Sequence, residues 1–255
     1  MASFLIINVS SGRINYLLEG NKMIDSITHT EADDSLWKSL YKVGAVAALT
    51  VLVLMSIQIV VFILWPPPST VIDWFNLFQI NKFVGLLDMD LLLIVDYALL
   101  GLVFLALWAA LKRFNQSFMA IALTFELVGI TTYFASTAAF EMLSLSNQYA
   151  IATTNAERSV LLAAGQTILV IWVGTAFNVS YILSAIALLI VSVIMVRNPI
   201  FSKTTAYMGI LASLLMFVPP TAGSIGVFIS LISLIPTAIW LILIARKFFQ
   251  LGRRE

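Results

Sequence analysis

The sequence of 255 residues contains no cysteine and a single histidine, His29. Without cysteine there is no disulfide scaffold, thiolate nucleophile, iron–sulfur cluster or cysteine-based zinc site. One histidine outside every apolar run leaves histidine-ligated haem and intramembrane zinc hydrolysis without ligands. Charge is scarce as well: 11% of residues are charged, against about 25% in ordinary soluble domains. The net charge of +1 provides no basic surface for nucleic acid. Also missing are a G-x-x-x-x-G-K-[ST] phosphate loop, an H-E-x-x-H motif, a Ser/His pair within the apolar runs and any lysine there for a Schiff base. No metal and no cofactor is expected.

Apolar sequence is abundant. Hydrophobic residues make up 61% of the chain and the mean hydropathy is +1.01. A soluble core cannot absorb that excess, because soluble folds keep a charged, wetted surface. The composition specifies an all-α, polytopic transmembrane helix bundle.

Six runs are apolar enough to be spans: residues 43–65, 89–111, 117–137, 179–196, the short 206–218, and 223–245. Lys38 and Lys42 precede the first, and Pro66, Pro67 and Pro68 stop it, since proline cannot continue a helix. Lys112 and Arg113 close the second, Arg197 the fourth, Pro219 and Pro220 the fifth, and Arg246 and Lys247 the sixth. The expected organisation is a cytoplasmic segment 1–42, a six-span domain 43–247 and a basic cytoplasmic tail 248–255. An even count of crossings puts 12 of the 14 basic residues on one face, leaving only Lys82 and Arg158 opposite. The positive-inside rule makes the richer face cytoplasmic, with both termini on it. The expected location is the cell (inner) membrane.

Residues 159–178 are also apolar, yet they abut the fourth span, and counting them as a crossing would move basic residues outside. They read instead as part of an external helical hairpin at about 140–177, with arms 140–152 and 157–177 and a turn at Thr153, Thr154 and Asn155. Asn155, Glu157 and Arg158 look like a helix start, with the acid at the positive dipole end. The second arm is expected to run into the fourth span as one long helix, bent near Gly174. Residues 69–82 place Val71, Trp74, Phe75, Leu77 and Phe78 on a mainly apolar face. Two readings fit: a helix in the membrane interface, or a lid packed on the bundle. Residues 1–22 differ in character, with an apolar stretch too short for a signal peptide. Met23 opens an amphipathic lead-in, and EGNK before it matches what a purine-rich ribosome-binding stretch would encode. Met23 is therefore the expected natural start, a reading that native peptides from residues 1–22 would refute.

Ionisable groups inside apolar runs are costly and become functional candidates. Asp96 lies in the second run and Glu126 near the middle of the third, on neighbours of a short hairpin and without a basic residue in any run. Asp88 and Asp90 read as solvated rim residues. Ala122, Glu126, Gly129, Tyr133 and Thr137 share one helical face, and Thr167, Gly174, Asn178, Tyr181 and Ala185 form a second stripe beside Ser184. Such stripes either line a cavity or join helices through small residues and hydrogen bonds. Gly209 with Ser213, and Gly223, Gly226, Ser230, Ser233 and Thr237, read as packing faces. Pro236 reads as a kink. One arrangement for Arg158 is a pair with Glu141 or a rim aspartate.

The second half resembles a bacterial membrane-protein family, the domain of unknown function 4386. The resemblance rests on EMLSLSNQYAIATTNAERSVLLAAGQ (141–166), GTAFNVSYIL (174–183), AYMGILASLLMFVPPTAGSIG (206–226) and SLIPTAIWLILIARKFFQLG (233–252). It extends over about residues 45–252 and implies a multi-pass bacterial inner-membrane protein, with no activity and no catalytic residues to transfer. The residues themselves favour a non-enzymatic protein that binds or transports a small or lipophilic ligand among membrane lipids. Its expected site is Asp96, Glu126, Tyr133, Asn178 and Tyr181. A structural or partner-binding protein whose acids serve packing is the alternative, and an acid/base enzyme has no supporting motif.

Overall fold

A computed structural model describes residues 37–253. The expectations about Met23, His29, Arg13, Lys22 and Arg254 fall outside the described residues. Among those described there is no strand. The helices are α1 (Trp37–Leu64), α2 (Val71–Ile80), α3 (Lys82–Asp88), α4 (Leu91–Leu111), α5 (Gln116–Ser136), α6 (Ala139–Ile151), α7 (Asn155–Trp172), α8 (Thr175–Val196), α9 (Lys203–Leu215) and α10 (Gly223–Arg253). Five helical stretches are long and apolar enough to cross a membrane, containing α1, α4, α5, α8 and α10. The protein is thus a multi-helix membrane protein.

Two cores divide the helices. The larger collects α1, α4, α5, α8, α9 and α10 around Ala48, Leu107, Val191, Trp240 and Phe248. Its outward residues, such as Val53 on α1 and Ile235 on α10, are exposed aliphatics. Hydroxyls on these helices turn back onto their own backbone: Thr50 donates to Val46 O at 3.0 Å and Thr124 to Ala120 O at 2.8 Å. A hydroxyl in hydrocarbon has no water to bond, so its own helix must satisfy it.

The smaller core belongs to α2, α3, α6 and α7, which form a cap. Val71, Trp74, Phe75 and Phe78 of α2 are buried with Met89, Ala139 and Met142. Their i, i+3, i+4, i+7 spacing gives α2 one apolar face, and that face meets α6 and α7. The apolar face of residues 69–82 is therefore packed within the cap, against α6 and α7. Ser146 donates to Phe75 O at 2.8 Å and Gln79 Nε2 to Ser146 Oγ at 2.9 Å, tying α2 to α6. Gly165, the buried residue of α7, lets α2 approach closely: a Cβ there would stand 2.5 Å from Val71 Cγ1.

The helix start expected at Asn155 forms. Thr154 accepts from Glu157 N, while Glu157 Oε2 accepts from Thr153 N and Thr154 N, a reciprocal cap. Between α7 and α8 the chain breaks at Val173 and Gly174, so the two are not one continuous helix. A Cβ on Gly174 would lie 2.8 Å from Val170 O, which reserves the break for glycine. Arg158 donates to Ala152 O at 3.2 Å and lies over the Tyr149 ring at 5.8 Å. Its role is to close the α6–α7 turn, where the sequence reading pointed to an acidic partner.

Away from the cap, basic residues gather at one end. Lys112 Nζ lies 4.3 Å from the Trp37 ring, a Cβ on Gly252 would meet Lys42 Cγ at 2.8 Å, and Phe201 packs on Phe248. The starts of α1 and α9 and the ends of α4, α8 and α10 therefore share that end. Residues 248–253 continue α10, with Phe248 buried.

At 13 residues, α9 is about 20 Å long, too short alone to span about 30 Å of hydrocarbon. The chain around it nevertheless travels further. Lys203 Nζ donates to Val196 O at 2.6 Å at the end of α8, and Thr221 donates to Asn178 Oδ1 near its start. Residues 203–221 thus run back along about 27 Å of α8, at 1.5 Å per residue. Gly209 permits this approach, because a Cβ there would collide with Ser192 Oγ and sit 2.9 Å from Trp240 Nε1.

Candidate functional site

The seam between α4, α5 and α8, below the cap, contains most of the polar groups expected at a site. Asp96 projects from α4, Glu126 and Tyr133 from α5, and Ser180, Tyr181 and Ser184 from α8. Glu126 and Tyr133 are each 1% exposed and Asp96 7%. Gly129 sets the closeness of α5 to α8, since a Cβ there would lie 3.1 Å from Ser184 Oγ and 3.3 Å from Ser180 O.

Aromatic rings join these helices. Tyr97 of α4 stacks on Tyr133 with centroids 3.9 Å apart and planes 6° from parallel. Tyr133 continues to Phe177 at 6.4 Å, and Phe177 to Tyr181 at 6.2 Å. Tyr97 and Glu126 are within electrostatic range of each other, as are Tyr133 and Asp96. The tyrosines therefore link the environments of the two acids.

The hydrogen bonding of this seam is incomplete. Asp96 Oδ1, Glu126 Oε2, Tyr133 OH, Ser180 Oγ and Ser184 Oγ are buried without a hydrogen-bond partner among the described residues. Ser184 faces Glu126, Ser180 faces Tyr97 and Tyr133 faces Asp90, each short of a formed hydrogen bond. Buried polar groups are usually paired, because each unsatisfied one costs about 1–3 kcal/mol. A group of five on one seam is unusual for a settled packing interface.

The rim acids correct the expectation of solvation. Asp88 is 0% and Asp90 5% exposed, because the cap folds over them. Asp90 stands one residue ahead of α4 with φ 67°, the left-handed region that a non-glycine residue rarely adopts. Its carboxylate does not cap α4. It accepts instead from Trp172 Nε1 at 2.7 Å, 82 residues away at the end of α7. Trp172 in turn packs edge-on against Trp74 of α2, 5.6 Å between centroids. Burial pushes the Asp90 carboxyl up to about 7, a rise that Asp88 adds to and the Trp172 bond opposes. Burial likewise pushes Asp88 up to about 6, and neither of its oxygens has a partner among the described residues. Gln58 of α1 donates to Leu87 O at 3.2 Å, fastening the same corner to the bundle.

Of the five residues expected at the site, the structure gathers Asp96, Glu126, Tyr133 and Tyr181 along the seam. Tyr181 also faces Ser233 of α10. Asn178 is committed elsewhere: it donates to Gly174 O at 2.8 Å and Val173 O at 3.2 Å and accepts from Thr221. It holds the α7–α8 break and the end of the 203–221 segment. Sequence reasoning missed Tyr97 and Trp172, and read Asp90 as a solvated rim residue. A tyrosine beside Asp96 inside an apolar run was a legible signal for the first; the contact between Asp90 and Trp172 depends on tertiary pairing alone. Comparison with known proteins finds no matching family model, no matching curated protein and no matching solved structure.

Proposed function

We propose that this is an inner-membrane protein with six crossings and both termini cytoplasmic, which binds or moves a small ligand at the α4–α5–α8 seam. Asp96 and Glu126 are its polar focus, with Tyr97, Tyr133 and Tyr181 around them and the α2/α3/α6/α7 cap as a lid on the non-cytoplasmic side. The return of residues 203–221 along α8 supports counting α9 as the sixth crossing. The gathering of Lys42, Lys112, Arg197 and Lys203 at the end opposite the cap supports the orientation. The resemblance to the domain of unknown function 4386 is part of the same proposal and adds no activity.

The unpartnered oxygens carry the reading. Acids that serve only to join helices bond across the interface, whereas Asp96 and Glu126 each keep a buried oxygen free of any partner among the described residues. Buried carboxyls without a basic partner suit a proton, a monovalent cation or a cationic small molecule, which supplies the missing positive charge. The test is thermal unfolding of purified protein across a panel of monovalent cations and small organic amines. A stabilising member, with its effect lost in Asp96→Asn or Glu126→Gln, is the expected result. Responses unchanged in both folded variants refute the site.

One observation favours the second reading, in which the acids fix helix packing alone: the bundle is closed around Glu126 and Tyr133, each 1% exposed. On that reading Glu126→Gln leaves every response in place and changes only stability.

A further inference from the structure

The outer face of α7 is mainly apolar, with the exposed amide of Gln166 at its edge. Val160, Ala163, Thr167, Val170 and Ile171 recur at three- and four-residue intervals, so they form one stripe, and all five are exposed. Val160 is 69% and Val170 61% exposed, values like the 65% of Ile235 on the outer face of the membrane-spanning α10. Thr167, the polar member, donates to Ala163 O at 3.0 Å, the same inward turn that Thr50 and Thr124 make on the spanning helices. The charged residues of α7 are confined to its first turn, where Glu157 and Arg158 are occupied by the α6–α7 turn.

The opposite face of α7 is already taken by α2, which packs on Gly165 through Val71 and Phe75. An open groove of about 630 Å³ between α6 and α7 is lined by Ile151, Ala152, Ala156, Val160 and Leu161 among others. Ile80 and Phe83 of the cap are exposed as well, beside Lys82. A cap standing in water would leave Ile80, Phe83, Ile151, Val160, Val170 and Ile171 all exposed to it, and large exposed apolar side chains are what a lipid-facing surface presents. Length supplies a further constraint. The helical stretch Asn155–Val196 has 42 residues, about 63 Å, twice the roughly 30 Å of hydrocarbon. The whole stretch therefore cannot stand upright in the bilayer, and the break at Val173 and Gly174 divides it.

We propose that α7 lies within the membrane leaflet on the cap side, its Val160–Ala163–Thr167–Val170–Ile171 stripe against phospholipid acyl chains and its first turn among the headgroups. Lys82 and Arg158, the two basic residues of this side, flank the apolar surface as headgroup-level cations. The cap is then a membrane-embedded lid, reached by lipid from the side.

The absence of native cysteine makes the test direct. Val170→Cys on α7, Ile235→Cys on α10 and Ser159→Cys in the first turn of α7 are each labelled with an environment-sensitive fluorophore. Each is reconstituted in vesicles of phosphatidylethanolamine and phosphatidylglycerol. The label at position 170 should lose most of its emission to doxyl-labelled acyl chains, as at position 235, and little to aqueous iodide. The label at 159 should respond to iodide. Iodide quenching at 170 overturns the proposal. So does protection from both quenchers accompanied by disulfide crosslinking of unlabelled Val170→Cys to a second copy, or protection from both without it, which places protein on the stripe. The label at 235 reports separately on the spanning bundle.

Discussion

Replacing Trp172 with phenylalanine probes the joint between cap and bundle. The change keeps an aromatic ring near Trp74 but removes the Nε1–H that donates to Asp90 Oδ2 at 2.7 Å. Asp90 is buried, so no water replaces that donor. A hydrogen bond between neutral groups contributes about 1 kcal/mol, and one to an ionised group about 1.5–3 kcal/mol. Which value applies depends on pH. Burial raises Asp90 from 3.8 to about 7 in the folded protein, against the opposing pull of Trp172. An acid raised on folding binds its proton more tightly in the native state. The fold therefore loses stability as pH climbs from the unfolded value to the folded one, and no further above it. Without Trp172 the Asp90 value rises again, so the variant loses more than wild type above neutrality. Trp172→Phe should cost about 1 kcal/mol plus a fixed packing loss near pH 5, and about 1–2 kcal/mol more near pH 8.5. Thermal and SDS unfolding in detergent at the two pH values read the difference directly, because the loss from a smaller ring does not titrate. An equal cost at both pH values refutes the reasoning, as does an undiminished cost in an Asp90→Ala background.

Three further outcomes follow from the same geometry. Asp88→Asn should stabilise the protein by on the order of 2 kcal/mol above neutrality, because burial raises its carboxyl from 3.8 to about 6 and asparagine carries no charge to bury. The gain should fade on acidification and vanish near pH 3.8, which a pH series of unfolding midpoints checks. Gly209→Val should separate α9 from Ser192 and Trp240, costing about 1–3 kcal/mol by overpacking, measured by SDS unfolding. Gly165→Ala, set against Val71 and Phe75, should loosen the cap alone: protease cleavage between α6 and α7 should accelerate while the unfolding midpoint of the bundle moves little.

Much of the bundle was legible because lipid imposes simple rules. Length, prolines and flanking lysines located α1, α4, α5, α8 and α10 to within a few residues, apart from the longer ends of α1 and α10. Asn155, Glu157 and Arg158 announced the start of α7, whose cap is the Thr154 of the expected turn. Glu126 and Asp96 stood out because a charge in an apolar run is costly wherever the run packs. The cap was less legible, since its core joins α2 to α6 across 71 residues, from Phe75 to Ser146, and no local pattern encodes that pairing. Asp88 and Asp90 read as solvated for the same reason: polar residues beside a helix start look like a rim until another segment covers them. Asn178 shared a stripe with Tyr181, yet its amide satisfies the carbonyls freed at Gly174, a role that appears only once the break exists.

The most direct test of the central claim is an experimental structure of the protein in nanodiscs of its native lipid, with co-purified small molecules retained. The account predicts non-protein density in the α4–α5–α8 seam, within hydrogen-bond distance of Asp96 or Glu126. A dry seam in which both carboxyls bond to neighbouring helices would contradict it.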